Sequence, residues 1–213
     1  MTPPPTPPVA AGPPPAPGQY VPVKILIAGG FGVGKTTMVG SVSEIPPVTT
    51  EVGMTSASVS TDDTSLVPNK AATTVAMDFG RITIDQHVVL YLFGTPGQYR
   101  FWFMWDQLCR GALGAVILVD VRRLQDSFGP IDYFEEKGIP FVVVVNQFDG
   151  APTYPTEALR EALALPPDVP VLTCDARQRQ GAKEVLIALV EHVAAAHRRL
   201  AASANDRPVG SGV

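Results

Sequence analysis

The clearest chemistry in this 213-residue chain sits just after its first apolar run, in Gly29-Gly30-Phe31-Gly32-Val33-Gly34-Lys35-Thr36. These residues fit the pattern G-x-x-x-x-G-K-[ST] at every fixed position. Glycines let successive backbone N–H groups turn inward around phosphate oxygens, along a path that side chains would obstruct. A helix beginning at Lys35 would point its positive end at the same oxygens. Lys35 then offers a charge to the β- and γ-phosphates, the Thr36 hydroxyl suits Mg²⁺, and Thr37 follows in the first turn. A chance glycine-rich turn is the plain alternative, but it would not need an apolar strand before it and a helix after it. The pattern predicts a nucleoside-triphosphate site.

A second set closes the apolar run at 139–145, where Asn146-Gln147-Phe148-Asp149 follows. Ligands of open α/β sheets bind at the carboxyl ends of strands. A carboxylate at Asp149 would accept from guanine N1–H and the 2-amino group. Adenine has neither donor there, and a buried carboxylate left unsatisfied costs about 1–3 kcal/mol. The expected ligands are therefore GTP and GDP, although Asp149-Gly150 would also suit an ordinary turn.

Strand and helix patterns alternate around these residues. Residues 21–28 read as a strand with Pro22 near its start, and Lys35 to Glu44 as a short helix before Pro46-Pro47. Residues 75–84 and 88–93 read as an antiparallel pair joined through Asp85-Gln86-His87. The runs at 113–119 and 139–145 are continuously apolar, as parallel strands covered on both faces must be. A strand at 169–173 precedes a helix over about 181–200, where Val185, Leu186, Leu189, Val190 and Val193 recur at helical spacing. This order predicts an α/β three-layer sandwich: a mostly parallel sheet with one antiparallel edge hairpin.

Composition narrows the rest. Hydrophobic residues make up 46%, enough for a full core. Twenty acidic against sixteen basic residues argue against a nucleic-acid partner, which would need a clustered positive face. Two cysteines, Cys109 and Cys174, are too few for a disulfide framework and fit a reducing cytoplasm. No apolar run approaches the ~20 residues of a membrane span, so direct insertion is not expected. Nine prolines among the first eighteen residues predict an extended tail over 1–18, followed by one domain over 19–200 and a fraying tail over 201–213.

With five motifs in order, the chain resembles the Ras-like small GTPases over roughly 21–200. Gly29 to Thr36 is similar to their first motif, and Asn146 to Asp149 to a variant of the fourth, N-K-x-D. Thr74-Val75-Ala76-Met77-Asp78-Phe79 looks like the Rab-type T-x-x-V-D-F. Leu92-Phe93-Gly94-Thr95-Pro96-Gly97-Gln98-Tyr99-Arg100-Phe101 resembles the third motif, and Asp175-Ala176-Arg177 stands where the family has S-A-K. The resemblance implies Thr74 as a switch threonine and Mg²⁺ ligand, Gln98 as the residue orienting the attacking water, Gly97 at the γ-phosphate, and Asp175, Ala176 and Arg177 beside the base. A narrower likeness, carried by residues 75–82, 92–98 and 174–177, is to the actinobacterial conservon GTPases. These are encoded beside a histidine-kinase-like membrane sensor, a Roadblock-type protein and a small helper protein. It implies a cytoplasmic switch that a partner can recruit to the membrane.

Three departures qualify the likeness. Gly94 replaces the family's aspartate, which holds Mg²⁺ through water, so weaker Mg²⁺ binding is expected. Gln147 replaces the lysine that packs over the base. The segment between Glu44 and Thr73 is long and rich in Ser, Thr, Asp and Pro, and would form either a lid or an added strand around Ser56 to Ser60. Arg81, Arg100, Arg122 and Arg123 are the arginines available to stabilise a transition state, although solvated or structural roles suit each of them. Phe101-Trp102-Phe103-Met104-Trp105 sets five large apolar side chains in succession, more than one core-facing stripe can bury. Trp102, Phe103 and Trp105 therefore read either as a docking patch, with the Roadblock-type neighbour as the implied partner, or as side chains covered by the long segment between Glu44 and Thr73. The functional expectation is slow, partner-stimulated GTP hydrolysis. Its rivals are a GTP sensor or scaffold without hydrolysis and an ATP-using enzyme.

Overall fold

The computed structural model describes residues 20–46, 48–54, 73–84 and 87–205. The proline-rich segment 1–18 and the stretch Ser56 to Ser60 lie outside the described residues. Among the described residues, seven strands form one sheet: β1 (Val21–Gly29), β2 (Val48–Met54), β3 (Thr73–Thr83), β4 (Val88–Gly94), β5 (Ala112–Val119), β6 (Phe141–Asn146) and β7 (Val171–Cys174). Their order is β2-β3-β4-β1-β5-β6-β7. β1 runs parallel to β4 and β5, and β6 and β7 continue the parallel half. β3 is antiparallel to both β4 and β2. The expected hairpin therefore lies one strand in from the edge, because Val48–Met54 adds β2 outside it.

The continuous apolar runs have a simple cause: side chains alternate across a sheet that is covered on both faces. Ile25, Ile27, Val116, Leu118, Val142 and Val144 enter one core with Met38, Val39, Val185 and Leu189 of helices α1 (Lys35–Val42) and α5 (Arg179–Asn205). Leu26, Ala28, Ala115, Ile117, Val119 and Val143 enter the other. There they meet Trp105 and Leu108 of α2 (Trp105–Cys109) and Ile131 and Phe134 of α3 (Phe128–Glu136). A further helix, α4 (Thr156–Ala162), precedes β7. In α5 the buried Ala182, Val185, Leu186, Leu189 and Val193 form the inward stripe. The helix continues to Asn205, past the boundary expected at residue 200.

The aromatic cluster corrects the sequence expectation. Tyr99–Met104 forms a 3₁₀ segment that turns into α2, and Trp105 is fully buried rather than part of a surface patch. Its indole Nε1 donates to the Pro96 carbonyl at 3.2 Å. Its ring stacks on Trp102 at 4.8 Å and meets Tyr133 edge-on at 5.0 Å. The cover comes from Tyr133 and Phe134 of α3, an element that the residues 101–105 by themselves do not reveal. Trp102 is half-buried against this core, and Phe103 remains exposed at 56%.

Candidate functional site

β1 delivers the glycine-rich loop to the carboxyl edge of the sheet, and α1 leaves it at Lys35. The turn into the helix needs glycine at Gly34, whose φ of 107° is left-handed. A Cβ there would also stand 2.5 Å from Asn146 Nδ2. The buried Lys35 ammonium points back into the loop and donates to the carbonyls of Gly29 (2.9 Å) and Gly30 (2.6 Å). Burial lowers its pKa to about 8, against the opposing influence of the Asp78 carboxylate. Val33 is buried, whereas Phe31, Gly32, Thr36 and Thr37 face outward. Thr36 Oγ1 donates to Asp78 Oδ2 at 2.7 Å. These two side-chain oxygens are of the hard kind that Mg²⁺ takes together with phosphate oxygens.

Gly97 is seated directly on the loop, since a Cβ there would lie 2.7 Å from Lys35 Nζ and 3.0 Å from the Gly30 carbonyl. Gln98 follows, half-buried, and caps the 3₁₀ segment with its carbonyl accepting from Phe101 N at 3.0 Å. Together with Gly30, Phe31, Trp102, Asp126 and Pro130, it borders an open recess of about 510 Å³ beside the loop. Thr74 belongs to β3 and pairs with Gly53 of β2; its side chain lies outside the description.

The base-side residues gather through Asn146. This buried side chain donates from Nδ2 to Val33 O at 2.9 Å and accepts at Oδ1 from Ala176 N at 2.9 Å. One amide thus ties the phosphate loop to the Asp175-Ala176-Arg177 turn. Asp149 differs from expectation. Its side chain is 85% exposed rather than buried, and both its oxygens accept from Arg177, from Nη2 and Nη1 at 2.9 Å. Arg177 also binds Asp175, with Nε to Oδ1 at 2.9 Å. This fork holds the Asp149 and Asp175 carboxyls below the usual range. A desolvation penalty for an unmatched Asp149 therefore does not apply in this conformation. Gln147 is exposed, and its backbone N–H donates to the Cys174 carbonyl at 2.8 Å.

Sequence reasoning missed part of the loop's support. Asp120, buried at the end of β5, receives a two-pronged contact from Arg122 (2.9 and 2.7 Å). The Arg122 guanidinium in turn lies 3.9 Å from the Phe148 ring centre. Arg123 Nη2 donates to the Phe31 carbonyl at 2.8 Å, so it braces the tip of the phosphate loop. Arg81 reaches Thr83 within its own strand instead, and the Arg100 side chain lies outside the description. The charge pair in Asp120-Val121-Arg122-Arg123 was the available signal, but only the fold shows which arginine meets the loop.

Phosphate loop, lysine, hydroxyl and parallel sheet together define a P-loop nucleotide-binding protein. The chain belongs to the family described as conserved hypothetical ATP binding proteins, whose model matches residues 27–196. It is 30% identical over 129 residues to the uncharacterised protein MJ1339 of Methanocaldococcus jannaschii, covering 60% of this chain and 71% of that one. Among solved structures it resembles the cytosolic domain of the Thermotoga maritima FeoB iron transporter in a GDP form. There the TM-score is 0.59 at 18% identity, over 83% of this chain but only 65% of that one. The isolated G domain of the same protein matches with a TM-score of 0.57 at 18% identity, over 81% of this chain and 99% of its own length. The FeoB G-domain from Methanococcus jannaschii gives 0.52 at 18%, over 81% and 98%. At such identity these likenesses speak for the fold alone. Among the described residues, no helix is long and apolar enough to cross a membrane.

Proposed function

We propose that the chain is a GTP-binding switch that hydrolyses GTP to GDP slowly and depends on a partner for speed. The observation that carries this reading is the Asn146 bridge. It fixes the Asp149 and Ala176 loops against the phosphate loop, so one nucleotide can engage Lys35 with its phosphates and Asp149 with its base. Exposure of Asp149 leaves its carboxylate accessible to guanine once the Arg177 fork turns aside. Lys35 exchanges two carbonyls for phosphate oxygens, and the Thr36 hydroxyl, with Thr74 by resemblance, would hold Mg²⁺. Bound Mg²⁺ supplies charge neutralisation of the phosphates. Gln98, next to the seated Gly97, orients the water that attacks the γ-phosphorus. The bond to the β–γ bridging oxygen breaks, GDP leaves with that oxygen, and the water's proton ends on phosphate.

The γ-phosphate contacts at Thr74 and Gly97-Gln98 would be gained and lost with hydrolysis, which is the ordinary logic of a switch. A protein partner would read that change beside Phe103 and Trp102, with the buried Trp105 as the floor beneath them. The conservon likeness makes the Roadblock-type protein the candidate, and a membrane sensor complex the site of recruitment. The family description favours a second reading, ATP use, in which Arg177 keeps Asp149 engaged.

Turnover separates the readings. The purified protein with Mg²⁺ should release phosphate from GTP at about 10⁻⁴–10⁻³ s⁻¹, the scale of unassisted hydrolysis in related switches. Gln98→Leu should reduce this by about tenfold or more while retaining nucleotide. Bound GTP with no turnover would favour a sensor. Faster turnover of ATP would overturn the guanine assignment.

A further inference from the structure

We propose that Asp78 is the positioning carboxylate for Mg²⁺ at this site, supplied from β3 to the place left open at Gly94 on β4. The proposal rests on the nucleotide-binding reading above, and three observations carry it. First, β3 and β4 are antiparallel with Phe79 opposite Phe93, so the register sets Asp78 across from Gly94. Second, Gly94 is buried, and a Cβ added there would lie 2.9 Å from Asp78 Oδ2 and 3.0 Å from Asp78 Cβ. The aspartate therefore occupies the space that a side chain at 94 would need. Third, from that place Asp78 Oδ2 accepts from the Thr36 hydroxyl at 2.7 Å.

A hydroxyl has one proton to donate and two lone pairs. With its proton committed to Asp78, Thr36 keeps its lone pairs for a cation, and the carboxylate contributes negative charge beside them. Mg²⁺ retains several waters and binds through one or two carboxylates plus phosphate oxygens, so a carboxylate just behind the hydroxyl suits it. Asp78 also lies close enough to Lys35 to oppose the fall in its pKa caused by burial. The glycine at 94 thus accommodates the aspartate on the neighbouring strand, and the weaker Mg²⁺ binding expected from Gly94 alone does not follow.

The test is Mg²⁺ titration of a fluorescent GDP analogue bound to the full chain, with the analogue's release rate in EDTA as reference. In the wild type, Mg²⁺ should slow release. In Asp78→Asn, which preserves size and can still meet Thr36, the Mg²⁺ concentration for half effect should rise by about 10–100-fold. The double variant Asp78→Gly/Gly94→Asp moves the carboxylate back to β4 without the clash and should restore most of the wild-type response. A melting curve of each variant reports its folding, and Asp78→Asn alone suffices if the double variant does not fold. Equal Mg²⁺ response in wild type and Asp78→Asn would overturn the proposal while leaving nucleotide binding intact. A wild-type protein that holds no analogue in either buffer would overturn the nucleotide reading and the proposal together.

Discussion

Lys35 links the site's geometry to its pH behaviour. Burial lowers its pKa from 10.5 to about 8 in the free protein, while bound phosphate would hold the proton on. Below pH 7 both forms are charged and affinity is flat. As pH rises through 8 the free protein loses the proton that the complex keeps, so nucleotide affinity should fall. The sign for folding is opposite: between about 8 and 10.5 the unfolded chain binds more protons, so the free protein gains stability across that window. Calorimetric titration of GDP from pH 6.5 to 9.5 should show the fall, and Lys35→Arg, which does not titrate there, should not. A flat wild-type profile would mean that the ammonium does not meet phosphate. At this scale the glycine-rich loop was legible because its spacing is fixed by local backbone needs. Asp78 was hidden because its role depends on the β3–β4 register, and Asp149's exposure because its partner Arg177 lies far along the chain.

The elements were legible where periodicity was strong. β5 and β6 declared themselves as doubly covered strands, β1 as a strand, and α5 as an amphipathic helix. The segment 99–109 was not legible, since the same apolar run would suit a docking surface or a second core. The structure resolves this by packing α3 over Trp105, with Tyr133 and Phe134 against its ring. Replacing Trp105 with alanine should therefore cost about 3–5 kcal/mol, as for a buried aromatic. Phe103→Ala, on the exposed side of the same segment, should stay within about 0.5 kcal/mol. Urea denaturation of the two variants checks this directly. A neutral Trp105→Ala would show that the cluster is not part of the core, and a costly Phe103→Ala that its exposed face is packed.

Across the whole molecule, one sheet carries both ends of the site. The phosphate loop leaves β1, the Asn146–Asp149 loop leaves β6, and the Asp175–Arg177 turn leaves β7, all at the carboxyl edge. A nucleotide spanning these loops links three separate parts of the chain, so its binding should appear as stability of the entire fold. A ligand at a hundred times its Kd adds about 2.7 kcal/mol, which for a chain of this size is a rise of roughly 5–10 °C in Tm. The most direct measurement is thermal melting with GDP and with ADP at equal concentration, in the wild type and in Asp149→Asn. The wild type should melt higher with GDP and unchanged with ADP, and Asp149→Asn should lose the GDP shift and gain one with xanthosine diphosphate, whose 2-oxo group suits the amide donor. Equal shifts with ADP and GDP, unaffected by Asp149→Asn, would contradict the guanine-reading site.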